Sequence, residues 1–283
     1  GTLQFQTLSA GLVFGATLMT ILMCHEMGHY LAARHHRIDA SLPYFVPLPP
    51  QISLGTLGAV IRMRTAITNR DHLVDVGAAG PYAGLLVAVP LLALGLSRSP
   101  MGPIADGAYL EGNSLLYIAI KYAVFGQYLP TADGWDVQLG PMAFASWVGL
   151  LITMINLIPI GQLDGGHIAC GALGDRHERS SHWLHRALFA VAAAVAAALT
   201  WEGLDAGLSV GDALWHGARG GLPWVVWAAI LVIMRQMADG RYHPQVDARP
   251  LSPRRRLVVW LTAVLFLVIL TPVPLRPALP VGP

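Results

Sequence analysis

The sequence predicts an all-α polytopic membrane protein with about six transmembrane helices. Composition is the first observation behind that prediction. Apolar residues make up 54% of the chain and charged residues only 12%, with a mean hydropathy of +0.54; a typical soluble domain carries about 25% charged residues. A soluble fold of 283 residues would need more polar surface than this chain supplies. Pattern is the second. Long apolar segments lie near 7–29, 73–97, 141–160, 184–201, 222–238 and 257–272, each close to the roughly 17–25 residues that a bilayer core demands.

Taken in order, the first segment, "TLSAGLVFGATLMTILM", has no charge and runs straight into "CHEMGHYLAARHHR". The shorter apolar stretch 115–129 carries Lys121 and reads as re-entrant or interfacial. The alanine-rich run 190–198 is ordinary for a transmembrane helix, and the proline-rich tail from Thr271 reads as extended. Cys24 and Cys170 lie in apolar surroundings and give no disulfide or thiolate-zinc signal. A net charge of +2 without a long basic run excludes a nucleic-acid partner.

Orientation follows from lysine and arginine placement. Fourteen of the 18 basic residues fall on one set of connecting segments, leaving Arg98, Lys121, Arg219 and Arg276 for the other. The first span then runs from outside to inside, with the HEMGH end toward the cytoplasm. Gly1 would lie outside, so a further span is expected upstream.

HEMGH is an HExxH motif. On a helix His25 and His29 stand at i and i+4 on one face and can share one zinc ion. Glu26 is adjacent, where it can accept a proton from water. With 11 histidines and four glutamates in the chain, about 0.006 such matches arise by chance. The plainer alternative is an interfacial cluster where the helix leaves the membrane. An intramembrane carboxylate costs about 2.5–3.5 kcal/mol on insertion scales, which favours a function or a partner.

A catalytic zinc site needs a third protein ligand and an open position. Most remaining acids sit in loops, but Asp164 lies in "INLIPIGQLDGGHI" at the inner end of the 141–160 segment, at the depth of HEMGH. Pro159 lacks an amide donor and Gly161, Gly165 and Gly166 relax the backbone, so regular helix should break there. Broken backbone at membrane depth is tolerated where it lines a cavity or is buried in protein. The alternative is a loop at a simple helix exit. His167, three residues on, is a weaker candidate ligand because three others already complete a set.

HEMGH followed by "NLIPIGQLDGG", with "LGTLGAV" at 54–60 and "AAGP" at 78–81 between them, resembles the site-2 protease family of intramembrane zinc metalloproteases. The combination is closest to the branch with chloroplast members and bacterial relatives, and covers roughly residues 10–175. The resemblance implies one zinc ion per chain on His25, His29 and Asp164, Glu26 as general base, and Asn156 donating an amide hydrogen bond to substrate or oxyanion; helix packing is the other role open to Asn156. It implies a small membrane-associated β-hairpin at 53–65, with Gly55, Thr56, Leu57 and Gly58 binding substrate, against a linker dipping into the bilayer. No stretch between the two motifs has the length of a PDZ domain.

The expectation is therefore a single integral membrane metalloprotease domain over 1–283, with a catalytic core at about 7–175 and accessory transmembrane helices at about 184–272. It would cleave single-span transmembrane substrates in the lipid bilayer, in a bacterial cytoplasmic membrane with the active site toward the cytoplasm. Two other classes remain open. A metal transporter would need a route to both faces, whereas the candidate ligands cluster at one. An inactive protease-like scaffold would not need every catalytic position filled.

Overall fold

The computed structural model describes residues 8–47, 56–105, 107–238 and 240–279. The chain opens with helix α1, Leu8–His35, followed by strands β1, Tyr44–Pro47, and β2, Thr56–Val60. Helix α2, Arg70–Ser97, leads to β3, Met101–Pro103, β4, Tyr109–Glu111, α3, Leu115–Phe125, and β5, Trp135–Val137. Then come α4, Pro141–Asn156, α5, Asp164–Leu173, α6, Arg176–Asp205, α7, Val210–Met237, α8, Pro253–Ile269, and β6, Leu275–Pro277.

Local chemistry accounts for the helix starts. The Asn69 side chain accepts from the Asp71 and His72 amides and starts α2. Ser114 does the same for α3 through Tyr117, and prolines at the first turn open α4 and α8. Among the described residues the strands form three antiparallel pairs, β1 with β2, β3 with β5, and β4 with β6. In the first, Tyr44 lies opposite Val60 and Phe45 opposite Ala59. Helix α1 lies along α2, with α4 packed on both, while α5 packs on α2 and α6 pairs with α7.

Of the six expected spans, the helices support four by length and composition. Among the described residues four helices are long and apolar enough to cross a membrane: α1, α2, α6 and α7. Helix α4 has 16 residues and α8 has 17; at 1.5 Å per residue each reaches about 24–26 Å, short of a core about 30 Å thick. The reason for α4 is the break that the sequence predicted. Helix ends at Asn156, turns fill Leu157–Leu163, and a new helix begins at Asp164. Gly161 takes a φ of +66° there, a value open to glycine at little cost. Large apolar side chains such as Trp201, Met237 and Trp260 stay exposed on the outer helices, as a lipid-facing surface requires.

Helix α1 also outlasts its expected span. It runs to His35, so HEMGH stands inside a continuous helix, with His25 about 26 Å along its axis from Leu8. The motif therefore sits on regular helix, with its i, i+4 geometry intact.

Candidate metal centre

The i, i+4 spacing on α1 brings the two histidine side chains together, with Nε2 of His25 and Nε2 of His29 3.1 Å apart. Asp164, the first residue of α5, closes the group. Its Oδ2 lies 3.1 Å from His25 Nε2 and its Oδ1 3.2 Å from His29 Nε2. Both histidines are buried and Asp164 is nearly so. Among the described residues this is the one set of three ligand-type side chains whose donor atoms converge closely enough for a metal.

The arrangement fits zinc. Two imidazoles and a carboxylate are a known catalytic donor set, and zinc bonds of about 2.0–2.1 Å put tetrahedral donor atoms about 3.3–3.4 Å apart, near the spacings found here. The tautomer fits as well. His29 Nδ1 lies 2.7 Å from the Val76 carbonyl, which can only accept, so neutral His29 carries its proton on Nδ1 and presents the Nε2 lone pair to the centre. That hydrogen bond to the outer ring nitrogen is the usual way a protein aims a ligating histidine.

Close approach of α1 to α2 depends on small residues. A Cβ at Gly80, in the "AAGP" stretch, would overlap the His29 ring, and one at Gly28, inside HEMGH, would overlap the Ala79 carbonyl. At Gly77 an added Cβ would sit 3.1 Å from both the Asp164 carbonyl and the His167 side chain. Helix α2 is thus the spacer that sets how far α1 stands from α5.

Of the other candidates, Glu26 is half-buried beside the cluster, near enough for His25, His29 and Asp164 to act on its charge, with the Ile61 main chain in hydrogen-bonding reach. Asn156 is the last residue of α4 and half-buried. Thr56, Leu57 and Gly58 lie in β2, which packs against α1; Gly55 lies outside the described residues. His167 stands apart from the three-ligand group and pairs with His243 at 2.8 Å. Sequence reasoning missed Val76, Gly80 and His243; only Gly80 carried a signal, as part of a quoted motif.

The fold and site together define a helical membrane protein with a buried two-histidine, one-carboxylate centre assembled from an HExxH helix and a second, broken one. Residues 13–199 match Peptidase family M50, the site-2 protease family, and the chain belongs to it. It is similar to the probable zinc metalloprotease EGY1 of Arabidopsis thaliana chloroplasts, 34% identical over 177 residues that cover 61% of this chain and 31% of that protein. It is also similar to the chloroplastic EGY2 of Oryza sativa subsp. indica, 37% identical over 57% of this chain and 29% of the relative. Arabidopsis EGY3, named a probable zinc metallopeptidase, is 28% identical over 57% of this chain. The chain thus spans about a third of the length of these relatives. No solved structure matches it. Because the relatives are chloroplastic, they lend no support to the expected bacterial cytoplasmic membrane; residence in a membrane stands.

Proposed function

We propose that this chain is a zinc-dependent intramembrane endopeptidase that hydrolyses peptide bonds within or near transmembrane segments. One observation carries the reading: His25 and His29 of α1 meet Asp164 of α5 in a buried cluster, with Glu26 alongside. One zinc ion would be held by these three ligands, supplying a Lewis acid that polarises the scissile carbonyl and acidifies the attacking water. Glu26 takes the proton from that water and returns it to the leaving amine. Asn156 donates its side-chain amide to the developing oxyanion.

Transmembrane helices hide their peptide bonds, so a substrate must unwind to be cut. Among the described residues strand β2 pairs with β1 and packs on α1, and we assign its other edge to main-chain pairing with an extended substrate through Thr56, Leu57 and Gly58. Single-span membrane proteins are the substrate class this suits. The named relatives, probable zinc metalloproteases, support the metalloprotease part of this reading.

Glu26→Gln is the direct test. Zinc content should stay at the wild-type level while cleavage of a single-span substrate falls by about 10²–10⁴-fold, the range for losing a general base. Full activity in that variant would sink the assignment, and zinc uptake into liposomes without cleavage would favour a transporter.

A further inference from the structure

Outside the three-ligand group, the connection between α7 and α8 places a second histidine pair against the centre. This connection lies beyond the stretch matched to the family. It is tied down along its length. The Tyr242 amide donates to Glu178 at 3.0 Å and its hydroxyl meets His185 Nδ1 at 2.9 Å. The Asp247 amide donates to the Thr68 carbonyl and the Ser252 amide to Asp71, each at 2.9 Å. His243 is held between these anchors and is buried.

Hydrogen-bond logic fixes the protons. His243 Nδ1 lies 2.7 Å from the Pro244 carbonyl, an acceptor, so this nitrogen carries a proton. Burial draws the His243 imidazole below its ordinary pKa, and burial together with the neighbouring His243 draws His167 down to about 3, so both rings are neutral. His243 Nε2 is then a lone pair, and His167 Nδ1, 2.8 Å away, must donate to it. The remaining nitrogen of His167, Nε2, is left as an acceptor. His167 follows Asp164 by three residues on α5, the same helix face, and His29 and Asp164 act electrostatically on its ring.

An extended peptide at a buried site brings N–H groups that need acceptors. In the roles proposed above, zinc and Asn156 serve the carbonyl and Glu26 the water and the leaving amine. The β2 edge can pair with only one side of an extended chain. We propose that His243 is a positioning residue that locks His167 in its Nδ1–H tautomer, so that His167 Nε2 accepts a hydrogen bond from the substrate main chain beside Asp164. The inference rests on the peptidase reading.

Nitrogen-15 NMR of histidine-labelled full chain in micelles reads the tautomer without any turnover. The expected wild-type result is a protonated Nδ1 on His167. His243→Leu should move that proton to Nε2 and lower kcat/KM on a single-span substrate about tenfold, with zinc content unchanged. His243→Gln, whose amide oxygen can accept where Nε2 did, should keep the Nδ1–H form and recover activity to within about threefold. An Nε2–H signal in the wild type overturns the proposal. So does a glutamine variant that is as impaired as the leucine one, since that pattern means packing alone. If zinc-loaded wild type shows the Nδ1–H form but cuts no membrane peptide, the peptidase reading and the substrate role fall together while the tautomer assignment survives.

Discussion

At the scale of single residues, the centre is controlled as much by what is missing as by what is present. His25, His29 and Asp164 bring the donor atoms, but Gly80 makes their arrangement possible. Its missing side chain leaves the space that the His29 ring occupies. Gly80→Ala adds one methyl group to a close-packed contact, and overpacking of this kind costs about 1–3 kcal/mol. The expected outcome is a displaced His29 and a zinc affinity weakened about 10–100-fold, as when a ligand's supporting partner is lost, checked by metal titration against the wild type. HEMGH itself is legible from local spacing, since i and i+4 share a helix face whatever surrounds them. The role of Gly80 is not, because it depends on a partner about fifty positions away in the chain.

At the scale of elements, one buried and one half-buried arrangement carry charge. Lys121 of α3, 1% exposed, lies 3.2 Å from Asp136 and 3.5 Å from Glu111, and Glu111 also accepts from the Tyr117 hydroxyl at 2.9 Å. Burial pushes the Glu111 carboxyl up and Lys121 pulls it back. The stretch around Lys121 reads in sequence as re-entrant or interfacial; in the fold it is a short helix closed around an ionic cluster. Removing one partner of such a group leaves a buried charge uncompensated, so Lys121→Met should cost about 3–5 kcal/mol, seen as a lower midpoint of thermal unfolding in detergent. The second arrangement is Arg70. It donates to the Gly171 and Ala172 carbonyls at 2.7 and 2.8 Å and so caps the C-terminal end of α5. Hydrogen bonds from a charged donor contribute about 1.5–3 kcal/mol. Arg70→Ala should therefore loosen α5 and raise amide hydrogen exchange around residues 164–173, while a substitution at the exposed Arg254 should not.

For the whole molecule, the α7–α8 connection joins the later helices to α1, α2 and α5. Arg255, in the first turn of α8, bonds Asp75 of α2 at 2.7 Å, and Asp75 also holds His36, the residue after α1, at 2.9 Å. His36 is thus one member of a clamp that ties the end of α1 to α2 and α8. A zinc ion that binds only the folded state adds stability by mass action, about 2.7 kcal/mol when present at 100 times its dissociation constant. Chelation should accordingly lower the unfolding midpoint of the wild type and leave Asp164→Ala unmoved. An equal shift in both would mean that the metal sits elsewhere.

The sequence by itself determined the solvent, the chemical types at the centre and the break after Asn156. Each follows from local physics: composition sets the transfer energy, i, i+4 spacing sets a helix face, and Pro159 with its glycines interrupts the backbone ladder. Tertiary structure alone decided how Asp164 meets His25 and His29 beside α2, and that His243 rather than the metal ligands engages His167. Those outcomes depend on how closely whole helices approach one another. Interhelical distance is set by packing between residues far apart in the chain, and no local period of the sequence encodes it.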